Sequence, residues 1–244
     1  MLDKKTIAVG ALMALAGSQA LSGAGSKARG NGEIAVVEHS PPAFETLYIR
    51  ANADVKIHPG EAPRIVISAP AASHERIELR TKRKELEIGV KGKEETFPRF
   101  SVDVYCPPLS GIGAAYAGTV DFADGVASPV FMAGLAGAAE ITGTLNCDTV
   151  QINMAGSGSI RLTGSAGEAE INLVGDGTFA GKELRTANAS AHIVGDGRIV
   201  IWTTGNLTTN IVGQGTISYR GDPVMDVTAI GSGKFVRLPD NSPL

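Results

Sequence analysis

The sequence contains few of the residues that mark several common classes of protein. Its 244 residues include two cysteines, four histidines and one tryptophan, and the formal net charge is only −3. The histidines lack metal-ligand spacing, and neither a Gly-x-Ser-x-Gly nucleophile elbow nor a phosphate-binding P-loop is present. A hydrophobic fraction of 43% and the small net charge exclude wholesale disorder. A mildly acidic chain without a basic stripe argues against nucleic acid and anionic membrane surfaces as partners.

Long apolar runs are also missing, apart from a short one near the N-terminus. Lys4 and Lys5 precede the apolar segment 7–16, and the small-residue tripeptide Ser18-Gln19-Ala20 follows it. This order is typical of a cleaved secretory signal, and the run is shorter than the roughly 20 residues of a membrane helix. We predict a signal peptide over 1–20, a flexible leader over 21–32, no transmembrane segment after cleavage, and export to the periplasm or the cell surface. An N-terminal core or amphipathic helix is the alternative interpretation.

Glycine, by contrast, is abundant. The chain has 31 glycines, nearly twice the usual share of about 7%. Many of them recur in Gly-x-Gly turns spaced by 18–20 residues, and repeats of this length predict a solenoid. The clear copies are Gly156-Ser157-Gly158, Gly175-Asp176-Gly177, Gly195-Asp196-Gly197, Gly213-Gln214-Gly215 and Gly231-Ser232-Gly233, and degenerate copies begin at Gly118 and Gly137.

Apolar and polar positions around these turns form columns. Four residues after the first glycine the repeats place Phe122, Ile141, Ile160, Phe179, Ile199, Ile217 and Phe235. Two residues before it they place Tyr116, Leu135, Met154, Leu173, Ile193 and Ile211, preceded by a polar column of Asn153, Asn172, His192, Asn210 and Thr228. Apolar and polar residues in alternation indicate strands with one buried face, and coils this short leave no room for a crossover helix.

The predicted fold class is therefore all-β: a right-handed parallel β-helix or closely related single-chain β-solenoid. About seven coils of 18–20 residues occupy 111–238, and a tail follows over 239–244. Residues 33–110 read as alternating strands separated by turns, and they start or cap the solenoid. The charged stretch 74–99 within them is either a ligand-facing basic patch or the solvated side of these strands.

The two cysteines, Cys106 and Cys147, are candidates for a disulfide in an exported protein. If the coils continue backward with a 19-residue step, the two lie about two layers apart, roughly 9 to 10 Å. This exceeds the roughly 7 Å Cα separation that a disulfide tolerates, so we predict two free thiols.

Further sequence features resemble a known family: the Gly-Ser-Gly-like turns, the segment 211–223 (IVGQGTISYRGDP), and the segment 102–109 (VDVYCPPL) that leads into the first coil. On these features the chain resembles the head GIN domain family of autotransporter adhesins, over roughly residues 40–238. The resemblance implies an exported, single-domain β-solenoid, and no catalytic motif accompanies it. The chain departs from the usual Gly-Ser-Gly turn at Asp176, Asp196 and Gln214.

Candidate catalytic and metal-binding residues are few. Asp176 and Asp196 occupy the same position in successive turns, about 5 Å apart by strand spacing, with Arg198 two residues beyond. Paired carboxylates and a basic group suit a Ca²⁺ site or a polysaccharide lyase or hydrolase. The alternative interpretation is that each Asp bonds the backbone of its own turn.

Candidate ligand-binding residues are Asn153, Asn172, His192 and Asn210, whose column either binds sugar or links the coils, and Trp202, which is either a sugar-stacking platform or a partly buried surface residue. The leading functional hypothesis is an exported, non-enzymatic protein of the cell envelope that acts in binding, adhesion or scaffolding. Its partner is an envelope protein or a polysaccharide, and its terminal coils permit self-association. A carbohydrate-active enzyme that uses Asp176, Asp196 and Arg198 is the alternative.

Overall fold

The computed structural model describes residues 33–92, 97–116 and 118–239. The predicted signal peptide and leader and most of the predicted tail lie outside the described residues. The strands are β1 (Ile34–His39), β2 (Thr46–Arg50), β3 (Ala53–Pro59), β4 (Arg64–Pro70), β5 (Ile77–Lys82), β6 (Glu85–Val90), β7 (Phe100–Cys106), β8 (Gly111–Tyr116), β9 (Thr119–Gly137), β10 (Glu140–Gly156), β11 (Ser159–Gly175), β12 (Thr178–Gly195), β13 (Arg198–Thr203), β14 (Asn206–Gly213), β15 (Thr216–Arg220), β16 (Val224–Gly231) and β17 (Lys234–Arg237). A short 3₁₀ helix covers Ala71–Arg76.

Each of the long strands β9 to β12 makes up most of one coil and pairs in parallel with the next coil, so the predicted β-solenoid is confirmed. In β11 the alternation of buried and exposed residues is interrupted around Gly164, around Gly167 and again at the glycine turn, so the coil bends at three places. The inward residues of this coil are Ile160, Leu162, Ala166, Ala169, Ile171 and Leu173.

The inward side chains stack on their equivalents in neighbouring coils. Ile160 lies opposite Ile141 on one side and Phe179 on the other, and all three are fully buried. Burial of each such side chain stabilises the fold by about 1.5–3 kcal/mol. The core is therefore a set of apolar columns that run along the solenoid axis, as the sequence periodicity predicts.

The first glycine of each turn is required by backbone contact between coils. Gly175 and Gly195 have φ values of 111° and 124°. A Cβ on Gly195 would lie 2.7 Å from the carbonyl oxygen of Gly175, and a Cβ on Gly175 equally close to that of Gly156. No other residue combines this dihedral angle with so close an approach of two backbones. The repeated glycine therefore sets the position at which one coil rests on the next.

The first turn lies two residues earlier than the glycine spacing predicts. Tyr116 pairs with Gly137, so Tyr116, with φ 75°, occupies the first-glycine column. Gly118 then falls in the column of the second glycine, and Ala114 lies opposite Leu135 where the repeat placed Tyr116. The column positions predicted for Tyr116 and Gly118 were therefore wrong.

The reason is a longer first coil. Thr119 lies opposite Glu140, an offset of 21 residues, whereas β10 and β11 are offset by 19. The additional residues form a bulge over 123–125, and beside it Phe122 lies opposite Gly143, not in the column of Ile141. The Phe122 ring fills the space at Gly143, where a Cβ would come within 2.2 Å of it.

The N-terminal strands form coils whose stacking order differs from their order in the chain. β2 pairs in parallel with both β6 and β8, and β3 pairs in parallel with both β7 and β9. The coil made by β2 and β3 therefore lies between the coil of β6 and β7 and the coil that begins with β8. The segment between β3 and β6 carries the chain past its own first coil to the end of the stack.

Antiparallel strands cover that end. β5 pairs with β6, β4 pairs with β7, and β1 pairs with β4. Because an open strand edge can pair with other chains, this antiparallel cover protects the outermost coil. Residues 33–110 thus contribute both coils and a cap.

Both cysteines are free thiols and are buried. Cys106 lies in β7 and Cys147 in β10, with β3 and β9 between them. They are therefore about three strand spacings apart, roughly 14 Å, and not the two layers predicted from an uninterrupted step. Burial raises the pKa of each thiol to about 11.

Candidate binding face

One outward face of the solenoid carries the polar column predicted from the repeats. Strand register extends this column toward the N-terminus through Tyr48, so its members are Tyr48, Gly113, Gly134, Asn153, Asn172, His192, Asn210 and Thr228. We call this surface the asparagine face. The repeats predicted its C-terminal half. Gly134 joins it through the pairing of β9 with β10, Gly113 through that of β8 with β9, and Tyr48 through that of β2 with β8.

A second outward column lies beside the first, two residues further along each strand. Its register members are Ala115, Ala136, Ala155, Val174, Val194, Val212 and Ile230. Val174 is 55% exposed and Ile230 is 66% exposed. The asparagine face therefore combines an amide column with an exposed apolar column.

Between Tyr48 and Val174 the side chains of both columns are small, and a groove of about 490 Å³ results. Gly134 lies at its floor, where a Cβ would have no atom within 4 Å. The Tyr48 ring forms one wall by lying across Gly113, within 2.4 Å of the position of a Cβ there. The remaining lining includes Arg50, Leu135, Ala136, Asn153, Met154, Ala155 and Asn172.

The polar side chains of the asparagine face differ in their hydrogen bonding between the groove and the C-terminal coils. Asn172 donates from Nδ2 to Oδ1 of Asn153 at 3.2 Å and to a carboxylate oxygen of Glu170 at 3.0 Å. Oδ1 of Asn210 is buried without a hydrogen-bond partner among the described residues. The asparagines at the groove thus link coils, as one of the two interpretations of this column expects.

The predicted carboxylate pair lies outside this groove. Asp176 and Asp196 occupy equivalent places in consecutive turns, and both are exposed, as is Arg198. The backbone N–H of Asp176 donates to the carbonyl oxygen of Gly156 at 3.1 Å. Across the residues that the structure describes, no group of three or more His, Cys, Asp or Glu side chains is placed to hold a metal ion. The Ca²⁺ site stays a prediction.

Trp202 lies on a different side of the solenoid from the asparagine face. Its ring is half-buried between two arginines of neighbouring coils. The guanidinium carbon of Arg220 is 4.3 Å from the ring centroid, and that of Arg185 is 5.9 Å away. Both ring faces therefore meet cations in this structure.

A cluster of side chains around His58, near the N-terminal end of the solenoid, was not predicted. His58 in β3 hydrogen-bonds through Nε2 to Asp103 in β7 and through Nδ1 to Asp124 in β9, at 3.0 Å each. The hydrogen bond with Asp103, supported by Asp124, raises the pKa of the imidazole. Its ring stacks on Tyr105, with centroids 4.8 Å apart. The sequence carried no signal for this cluster because its members come from three strands that are far apart in the chain.

The groove could have been detected in part from the sequence. One residue before each repeated glycine stand Ala136, Ala155, Val174, Val194, Val212 and Ile230. A position that is apolar in every repeat yet adjacent to an inward column is an outward apolar column, which marks a binding surface. The contribution of Tyr48 could not have been found in this way.

Comparison with known proteins identifies the class of this solenoid. The family described as "Putative auto-transporter adhesin, head GIN domain" matches residues 43–223, so the chain belongs to the GIN domain family. The resemblance seen in the sequence is thereby confirmed. A search of curated proteins finds no match.

Solved structures share the fold. A "putative adhesin" from Bacteroides fragilis NCTC 9343 superposes with a TM-score of 0.76 at 20% identity, over 84% of this chain and 97% of that one. A "putative adhesin" from Parabacteroides distasonis ATCC 8503 gives 0.71 at 22% identity, over 86% and 98%. A "putative lipid binding protein" from the same strain gives 0.70 at 18% identity, over 86% and 98%. Within the described ranges, no helix is long and apolar enough to cross a membrane.

Proposed function

We propose that this protein is exported and acts without catalysis as a binding protein of the cell envelope, with its ligand held on the asparagine face. The observation that carries the proposal is the groove of about 490 Å³ between Tyr48 and Val174. This volume lies within the range of roughly 300–1,000 Å³ that is typical of small-molecule sites.

The lining favours an amphipathic ligand with an extended apolar part. The lining includes two glycines and four alanines, and the groove crosses five strands, a length of about 19 Å. Each methylene group removed from water contributes about 0.8 kcal/mol, so a chain lying along this floor would be held without charged contacts. An acyl chain has this shape.

Polar groups stand at both ends of the groove. Arg50 lies at the Tyr48 end, 3.6 Å from a carboxylate oxygen of Glu87, and the Asn153–Asn172 pair lies at the other. Such groups suit the headgroup of an envelope lipid or glycolipid. The solved structure named as a lipid-binding protein has the same fold, which adds support for this ligand class over a purely polar one.

Filling the groove tests the proposal. Gly134→Leu places a side chain where a Cβ meets no atom within 4 Å, so the variant should fold. Binding of a fluorescent long-chain fatty acid to the mature protein should weaken at least tenfold. Thr208→Leu is the matched control because it adds the same side chain to an exposed position of the same face, away from the groove.

Two results would contradict the proposal. One is a wild-type protein that binds no acyl probe; the other is a Gly134→Leu variant that binds as tightly as wild type. Thermal unfolding of each variant, followed by circular dichroism, shows that any loss of binding arises in the folded protein.

Export is tested separately. Full-length protein should appear in the envelope or extracellular fraction without residues 1–20, and deletion of residues 2–20 should leave it in the cytoplasm. Recovery of both forms in the same compartment would contradict the envelope location without affecting the groove.

A further inference from the structure

A column of two arginines and one tryptophan lies on the solenoid surface away from the asparagine face. Arg185 of β12 lies opposite Trp202 of β13, and Trp202 lies opposite Arg220 of β15. The indole is thus stacked between two guanidinium groups, at 5.9 and 4.3 Å from its centroid. Since each step between strands is about 4.8 Å, the two arginines are roughly 10 Å apart along the axis.

These two cations have no counter-ion in the part of the chain that the structure describes. Glu183 is two residues from Arg185 but makes no ion pair with it among the described contacts, and Asp222 pairs with Arg237 at 3.3 Å. Nε of Arg220 is buried and has no hydrogen-bond partner among the described residues. No ion pair among the described residues therefore competes with an anionic ligand for these two arginines.

Trp202 fixes the positions of the two guanidinium groups. A guanidinium above an indole is attracted by the negative face of the ring. Because the ring faces meet the arginines, the tryptophan does not offer a stacking surface to a sugar. It is instead a positioning residue that holds two planar donors ready for anions.

Amide groups lie across the next bend of the same coils. Asn188 accepts from both the backbone N–H and Nδ2 of Asn206, at 2.9 and 3.0 Å, and donates to a carboxylate oxygen of Glu168 at 2.8 Å. Asn188 follows Arg185 by three residues, and Asn206 follows Trp202 by four. A ligand that reaches from the arginines across the bend would therefore meet a row of amides suited to hydroxyl groups.

We propose that Arg185 and Arg220, positioned by Trp202, bind an acidic polysaccharide through carboxylate or sulfate groups spaced along it. The spaced cations select repeated negative charge, and the neighbouring amides favour a hydroxyl-rich polymer over an acidic polypeptide. The site is distinct from the groove and does not depend on it.

The sequence provides its own probe, because Trp202 is the single tryptophan of the chain. Titration with polygalacturonate should change the indole emission, and neutral dextran should not. Arg185→Gln and Arg220→Gln should each raise the apparent Kd at least fivefold, as measured by emission and by affinity electrophoresis. The wild-type affinity should fall with added salt because the contacts are ionic.

Arg161→Gln is the matched control, since this exposed arginine of β11 lies in a different outward column. It should bind like wild type, and so should the groove variant Gly134→Leu. The proposal fails if polygalacturonate leaves the emission unchanged, or if Arg161→Gln loses as much affinity as Arg220→Gln. It fails equally if polyglutamate binds as tightly as polygalacturonate, which would indicate an acidic polypeptide.

Discussion

The N-terminal and C-terminal halves of this solenoid are held together by different means. From β10 onward the coils stack in chain order, and each turn rests on the previous one through glycine backbone contacts such as Gly195 on Gly175. Toward the N-terminus the coil of β6 and β7 lies outside that of β2 and β3, and the layers are joined by charged side chains. These side chains come from positions 45 to 66 residues apart in sequence.

Asp54 illustrates the second arrangement. It lies in β3, accepts a hydrogen bond from Thr119 of β9 at 2.6 Å, and pairs with Arg99, which precedes β7. The Arg99 guanidinium lowers the pKa of its carboxyl group. Coils that repeat in chain order can be stacked through the same backbone contacts at every turn. Coils that are stacked out of chain order need side-chain contacts specific to each pair of layers.

The largest loss of stability is expected for Gly195→Ala, which tests the glycine contacts between the C-terminal coils. A Cβ at this position would approach the Gly175 carbonyl oxygen to 2.7 Å at a φ of 124°. Such a backbone costs about 1–3 kcal/mol for a non-glycine residue, and the overlap adds to it. We expect a loss of about 3–4 kcal/mol in the free energy of unfolding, measured by urea denaturation.

Gly134→Ala is its control, because the same methyl group there meets no atom within 4 Å. It should change the free energy of unfolding by less than about 0.5 kcal/mol. Equal effects at the two positions would show that backbone contact at the turns does not hold the C-terminal coils together.

A medium effect is expected for Asp54→Ala. The substitution removes the bonds from Arg99 and Thr119 that join β3 to its neighbours on both sides. Because the ion pair is about half exposed, solvent screening limits the loss to about 1–2 kcal/mol in urea denaturation.

Glu78→Ala is the matched control for Asp54→Ala. Glu78 pairs with Arg80 of the same strand and so joins no layers. We expect less than about 0.5 kcal/mol from it. If both substitutions have the same effect, the long-range pairs do not stabilise the interleaved coils.

Apart from the control variants, the smallest effect is a pH dependence at His58. Both ring nitrogens contact carboxylates, so the doubly protonated imidazole satisfies both bonds, and its pKa in the folded protein is raised above the ordinary 6.5. Its stabilising contribution is complete below pH 6.5 and is lost as the pH rises through the higher folded pKa. We expect a decline of less than about 1 kcal/mol between pH 5.5 and 8.5 because the cluster is partly exposed.

His58→Asn isolates this contribution. The difference in unfolding free energy between wild type and the variant should shrink as the pH rises over that interval. A difference that stays constant, or that grows, would show that the contact with Asp103 and Asp124 does not depend on the charge of the imidazole.

Much of the fold was predictable because the coils of a solenoid have equivalent structures and therefore similar, regularly spaced sequences. The columns of Ile141, Ile160 and Ile199, and the glycine at each turn, follow from the 18–20-residue spacing. The error at Tyr116 arose where one coil gained two residues, because a bulge shifts register without changing the alternation of apolar and polar residues.

The candidate site was predicted only where the repeat reaches it. Asn153 and Asn172 were predicted as a column and do form one, whereas Tyr48 lies beyond the repeat and joins through a strand pairing between distant segments. The groove itself depends on the absence of side chains at Gly113 and Gly134. Neither glycine was predicted to lie at a binding site.

The periodicity of the sequence is enough to predict a parallel β-solenoid with stacked apolar columns, because each coil must bury its inward face against an equivalent neighbour. Three features follow only from the three-dimensional packing. The coil of β6 and β7 lies outside that of β2 and β3, Tyr48 lies opposite Gly113, and Trp202 lies between two arginines. These contacts join segments with no shared spacing, so their position is set by packing energy in three dimensions and not by any periodicity of the chain.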